Sequence, residues 1–493
     1  MNPNETLFIN LNNETVYWAI IGIVIAVIIA VITLILTIYL SRITDKKIND
    51  AKQEILDSIR QVNVPGRLPV MDFVDGYPKL LDKSKNEIID LAIKNRDEQQ
   101  YDTAIKTLRT LLDFNPTKEQ YIAILTLIGN TQYLKRDYLS ARKSHSDALD
   151  IALTTQNKIA ISSSYGNLGI LCYFTSEPDR ALEYFIKSLE IARQLGNKHG
   201  EAQQLGNIGV IYNDRGEADK ALEYHNKSLE IYRQIHNKQE EADQLGNIGV
   251  SYRQKGEYDR ALDYHNKALE IHHQLGDKLG EARGLGNIGI IYGEMGEADK
   301  AREYYNKSLE IERQLGDKLE EGKTLGNIGI IYSQNGELDT ALDYFTKSLE
   351  IAQQIGNKLG EAQCLQNLGI TFKQNGQLDK ALVYHNQSLE IHRQLGSKLG
   401  EAQGLGNIGV TYLQKGQLDT ALEYLNKSLE IYRQLGNKLG EAQQLGNIGT
   451  IYHEKGELNT ALDFLEKSVK IFKIIKAESM AHQIEVMINQ LKK

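Results

Sequence analysis

One tetrapeptide recurs through most of this chain at a fixed interval. Gly-Asn-Ile-Gly begins at Gly206 and returns at Gly246, Gly286, Gly326, Gly406 and Gly446, with variants at Gly166 (Gly-Asn-Leu-Gly) and Gln366 (Gln-Asn-Leu-Gly). The interval is 40 residues throughout. A period of this size belongs to arrays of small stacked units, each unable to bury its apolar face alone. The chain has 493 residues, too many for one ordinary core, and an array resolves that difficulty.

Each unit reads as two helices. In the first, Leu205, Ile208 and Tyr212 fall at i, i+3 and i+7, an apolar helical face. Gly216 then interrupts the pattern and suits the left-handed residue that closes a helix. In the second helix Ala218, Leu222, Leu229 and Ile231 mix with Tyr224 and His225. That helix is expected to end near Gly196, Gly276, Gly316, Gly356, Gly396 or Gly436 in the different copies. The following residue is Asn197, Asp277, Asp317, Asn357, Ser397 or Asn437, each a good amino-terminal cap for the next helix. Of six prolines only Pro178 lies beyond residue 116, as long helical runs require.

These residues resemble the tetratricopeptide repeat. Leu205, Ile208-Gly209, Tyr212, Gly216, Ala221 and Leu229 follow its large–small alternation. Gly209 and Ala221 recur as Gly and Ala in all eight copies, where small residues let paired helices approach. The departure is length, since the usual unit has about 34 residues and a closing proline. Here Arg233 stands in one such place. Forty-residue units of this kind resemble those of G-protein-signalling-modulator and spindle-orientation scaffolds and, more loosely, kinesin light chains. The family's carboxy-terminal G-protein-binding motifs are missing, so G-protein partners are not carried over. Two weaker copies come first, marked by Ile128-Gly129 and Ala141, and by Ala92, Ala104 and Pro116. The expected fold is all-α, a right-handed superhelical solenoid of about ten hairpins over residues 85–476, with residues 477–493 as a capping helix.

The amino-terminal part reads differently. Val16–Leu40 is an unbroken uncharged run, long enough to cross a ~30 Å hydrocarbon layer, with Tyr17, Trp18 and Tyr39 at its ends. Arg42, Lys46, Lys47 and Lys52 follow it, while residues 1–15 carry Glu5 and Glu14 but no Lys or Arg. By the rule that basic flanks stay inside, the sequence predicts a single-pass membrane protein. Its short tail, 1–15, would lie outside, its transmembrane helix would be 16–40, and its repeats would be cytoplasmic. Residues 41–84 are expected to form a juxtamembrane helix and a linker. Asn4 and Asn13 stand in glycosylation sequons on the outer tail.

The chemistry of the repeats points to binding rather than catalysis. A net charge of -8 and the lack of a basic stripe argue against nucleic acid. His225, His265 and His385 share a repeat position, but equivalent residues of packed helices sit roughly 10 Å apart, too far to share one metal ion. They are expected to be partly buried packing residues. Cys172 and Cys364 have no ligand-spaced partner, and Gly-Asn-Ile-Gly lacks the strand and the Lys-Ser/Thr ending of a phosphate loop. Neither enzymatic activity nor a cofactor or metal is expected. The residue that asks for an explanation is Asn207, which recurs as Asn167, Asn247, Asn287, Asn327, Asn367, Asn407 and Asn447. Asn is unfavourable inside a helix. The resemblance implies that this position faces the concave side and touches bound peptide backbone. A side-chain amide both donates and accepts, so it suits a peptide unit of any sequence, and it could equally bond a neighbouring repeat. The expected function is a membrane-anchored scaffold for protein or peptide partners, with a peptide-responsive regulatory sensor as the alternative.

Overall fold

The computed structural model describes residues 83–492 apart from 99, 176 and 476. The chain divides into two compact units, Met1–Pro69 and Val70–Lys493, and the first lies outside the described residues. Among the described residues there are 21 α-helices and no strand. They form ten consecutive antiparallel pairs, from α1 (Lys83–Asp97) and α2 (Tyr101–Thr110) to α19 (Lys438–Glu454) and α20 (Leu458–Ile474). A single helix, α21 (Glu478–Leu491), follows them. Each helix packs on its pair and on the next pair, as in a solenoid.

The punctuation is built as its residues dictate. Asn197, Asp277, Asn357, Ser397 and Asn437 each accept a hydrogen bond at the side chain from the backbone N–H three residues on. Gly216 ends its helix at φ 72°, a conformation that costs glycine nothing. Within a pair, a buried serine of the second helix donates to a carbonyl of the first. Ser228 bonds Ala202 at 2.7 Å, and Ser308, Ser388, Ser428 and Ser468 repeat the strut. Ala221 and its equivalents Ala261, Ala301, Ala341, Ala381, Ala421 and Ala461 are fully buried against the partner helix.

Small residues have a second use that the sequence alternation did not expose. A Cβ added to Gly209 would stand 2.6 Å from His225 Cε1. The rings of His145, Phe185, His265, Tyr305, Phe345 and His385 lie in the same way against Gly129, Gly169, Gly249, Gly289, Gly329 and Gly369. Seven hairpins are therefore keyed by a flat ring on a bare glycine, 16 residues apart, and Leu425 and Leu465 take the ring's place at Gly409 and Gly449. The histidines are fully buried in this role, more completely than the sequence predicts: His225 and His385 have no exposed surface.

The localisation expected from the sequence is corrected. No helix among the described residues is long and apolar enough to cross a membrane. Val16–Leu40, the flanking charges, the sequons at Asn4 and Asn13 and the juxtamembrane helix and linker up to residue 82 all lie outside the described residues. The membrane partner and the single-pass topology therefore have no structural support.

Candidate peptide-binding face

First helices of consecutive hairpins touch one another, whereas consecutive second helices meet at most marginally. The first helices thus form the inner row of the array. Their lining can be followed from α9 (Lys238–Gln254) through α11 (Lys278–Glu294), α13 (Lys318–Gln334), α15 (Lys358–Gln374) and α17 (Lys398–Gln414). Outside, the second helices carry repeated ion pairs one turn apart, such as Glu223–Lys227, Asp263–Lys267, Glu303–Lys307 and Glu423–Lys427. That outer surface is internally neutralised.

The eight asparagines all lie on first helices, but their surroundings differ. Asn167 and Asn207 are 2% exposed. Asn207 Nδ2 donates to Gln204 Oε1 at 3.5 Å, and Asn447 Nδ2 to Gln444 Oε1 at 3.4 Å, both within one helix. In the middle of the row Asn247, Asn287, Asn327, Asn367 and Asn407 are half-buried. There the residue three positions earlier does not bond the amide. Gln244 already accepts from His225 Nδ1 at 3.0 Å, and Thr324 donates to Glu312 at 2.9 Å. Cys364 lies 3.1 Å from Ser348 Oγ, and positions 284 and 404 are glycine. The bonds made at Asn207 and Asn447 run along their own helix and not to a neighbouring repeat.

The glycines beside three of these amides have little packing duty, whereas a Cβ at Gly406 would stand 3.0 Å from Gln444 Nε2. An added Cβ at Gly246 would meet nothing within 4 Å, and at Gly286 and Gly326 only a serine oxygen at 3.6 and 3.5 Å. Gln366 occupies the same place in one copy. One turn beyond each amide stand Val250, Ile290, Ile330, Ile370 and Val410, half-buried or, at Ile330, 37% exposed. One turn before them the row carries Asp243, Arg283 and Lys323 where other copies have glutamine. Lys323 pairs with Glu320 at 2.8 Å. Arg283 has a buried Nε with no partner, and burial holds its pKa below the usual guanidinium value despite Asp243, Glu320, Asp277 and Asp317 nearby.

Other candidates dissolve. Asn226 of the mid-helix sequon donates to Leu222 O at 2.7 Å, and Ser228 is buried, so that triplet belongs to the helix. Among the described residues no group of His, Cys, Asp and Glu could hold a metal ion.

Ten stacked helical hairpins with an inner row of first helices define an α-solenoid. Residues 160–234, 241–314, 320–394 and 400–474 match the tetratricopeptide repeat model, well over half of the chain, and the chain belongs to the tetratricopeptide repeat family. No curated protein matches it. Among solved structures, a Rap protein complexed with competence and sporulation factor is 13% identical, with a TM-score of 0.52 over 72% of this chain and 99% of that one. The apo quorum sensor NprR from B. thuringiensis is 18% identical, with a TM-score of 0.50 over 71% and 99%. Both share the fold.

Proposed function

We propose that this chain is a non-catalytic binding protein that holds segments of partner proteins against its inner row, with the asparagine ladder contacting the partner's backbone. The observation that carries the reading is the set of five half-exposed amides from Asn247 to Asn407, unbonded by their helices at positions where Asn is costly. Bare glycines beside three of them leave room for close approach, and the outer helices pair many of their charges with one another. A second reading, a peptide-responsive regulatory sensor, draws on the fold it shares with a quorum sensor and with a Rap protein bound to a factor.

The test compares the full chain with the triple variant Asn287→Ala, Asn327→Ala, Asn407→Ala. Each lost contact is worth roughly 0.5–1.5 kcal/mol net, so affinity for a retained partner should fall by about one to three decades. The melting temperature should hold or rise, because Ala is the better helix former. A lower melting temperature with unchanged affinity of the folded fraction would overturn the reading. A conformational change on peptide binding, followed by small-angle scattering, separates sensor from scaffold.

A further inference from the structure

The pitch of the row restricts what can lie along it. Successive first helices are packed neighbours, so equivalent residues recur at roughly 10 Å. An extended strand advances about 10 Å in three residues, but its side chains alternate. Its third residue then faces away, and only every second rung could be used in the same manner. A left-handed polyproline II segment repeats its orientation every three residues, with a rise of about 9.3 Å per turn. Its pitch matches the rungs, and it leaves its peptide groups unbonded for the amides.

The same row sets the length and register. The amides free of their own helices run from Asn247 to Asn407. The aliphatic rail begins one rung earlier, at half-buried Val210 beside the held Asn207, after Ile170 at 1% exposed, and it ends with the amides, where Thr450 replaces the aliphatic residue and its hydroxyl donates to Gly446 O. Four intervals of ~10 Å take about 13 residues at ~3.1 Å each. Within this window Arg283 is a half-buried cation whose Nε has no hydrogen-bond partner. It stands between Asp243 and Lys323 in a row that has glutamine at 203, 363, 403 and 443.

Resting on the binding reading above, we propose that the occupant is a partner segment of about 13 residues in the polyproline II conformation. It spans the rungs from Asn247 to Asn407, places an apolar residue on the Val250–Val410 rail at every third position, and sets one carboxylate against Arg283.

The test uses the full chain and fluorescein-labelled synthetic peptides of about 15 residues, read by anisotropy. One peptide repeats Pro-Ser-Leu with a central Glu. The control has the same composition with Leu at alternate positions. The threefold peptide should bind at least about tenfold tighter, a 1.4 kcal/mol difference. Asn327→Ala should weaken it, and Asn207→Ala, outside the window, should leave it unchanged. Gly246→Gln should weaken it while the melting temperature stays, since Gln is already accommodated at the equivalent position 366. Arg283→Gln should remove the preference for a central Glu over a central Lys. Equal binding of both peptides, or equal losses at Asn207 and Asn327, would overturn the threefold window. If the alternating peptide binds and Asn327→Ala abolishes that, the groove reading stands and the threefold conformation falls. If no peptide's binding responds to any of the asparagine variants, both fall.

Discussion

His145, His225, His265 and His385 are each closed under a helix as neutral rings, and this makes the array sensitive to acid. Burial holds the pKa of His145 at about 3. For His225 and His265 burial lowers it to about 4, with a Gln244 bond opposing at the first and Arg253 assisting at the second. Burial, with Lys373 nearby, also brings His385 to about 4. An unfolded histidine titrates near 6.5, so between that pH and about 4 the unfolded chain binds the extra protons. Stability is therefore complete above ~6.5 and falls as the pH drops toward 4, by up to roughly 3 kcal/mol per ring at the acid end. His385 is the most informative position, because neither ring nitrogen has a partner. His385→Phe, the residue at the equivalent positions 185 and 345, should raise stability by ~1–3 kcal/mol at neutral pH. It should also flatten the slope between pH 6.5 and 4; urea melts across that range give both numbers. A variant as acid-sensitive as the parent would refute this account. The rings also mark a limit of sequence reading. Gly209 was legible as a small residue, but the ring resting on it was not, because His, Phe, Tyr and Leu all serve at that position. Only the 16-residue spacing shared by unlike residues carries the signal. The asparagine ladder was visible as a repeat, yet its division into held and free rungs depends on whether Gln244 or Thr324 is already engaged elsewhere, which spacing does not encode.

At the scale of the elements, the joints between hairpins explain why a unit this long stays in register. In the seven first helices from Lys198–Asp214 to Lys438–Glu454, a glutamate in the first turn lies under the end of the preceding second helix. Glu241, 5% exposed, accepts from Arg233 Nε at 2.9 Å and Lys238 Nζ at 2.7 Å. Glu201, Glu321, Glu401 and Glu441 form the same clasp with an Arg and a Lys. His273 takes the Arg place at Glu281 and Gln353 at Glu361, where the amide bond lengthens to 3.2 Å. Within each of these hairpins stacked rings brace the two helices, as in Tyr212–Tyr224 and Phe372–Tyr384 at centroid distances of 5.4 and 5.2 Å. The helix ends were readable from Gly and Asn, since capping is local chemistry. The clasp was not, because its partners flank the loop and only the packing of one hairpin on the next brings them together. Gln353→Arg should complete the weak joint. The new pair is partly exposed, so the gain should be modest, ~0.5 kcal/mol, and should shrink in 1 M salt. Thermal melts at low and high salt would show it, and a salt-independent change of either sign would remove the clasp from the explanation.

Across the whole molecule, stability is close to a sum of hairpin terms and interface terms between neighbours, so the two ends matter most. The closing helix α21 takes the place of the first helix of another hairpin. Ala481 and Ile488 are buried against Leu465, Val469 and Phe472 of the last pair, and Ile484, Met487 and Leu491 lie partly over them. Where Ala442, Leu445 and Gly449 of α19 face their own second helix, the corresponding positions of α21 are His482, Glu485 and Asn489. The helix thus has an apolar side for the array and a polar side in place of a further partner, and Lys473–Glu485 and Lys492–Glu466 pin it at 2.6 and 2.8 Å. Its absence would leave Phe472, Val469 and Leu465 facing water together, an apolar patch of the kind that drives association. A chain ending at residue 475 should therefore lose stability in the last hairpin first, seen as faster amide exchange in α20 with the interior hairpins unchanged. It should also self-associate in light scattering at concentrations where the parent is monodisperse. Replacing Ile488 alone with Asp should reproduce part of both effects in a chain of full length, which separates lost burial from lost length. If the truncated chain is as stable and as monodisperse as the parent, then α21 is not what closes the array, and the polar residues at 482, 485 and 489 need another reason.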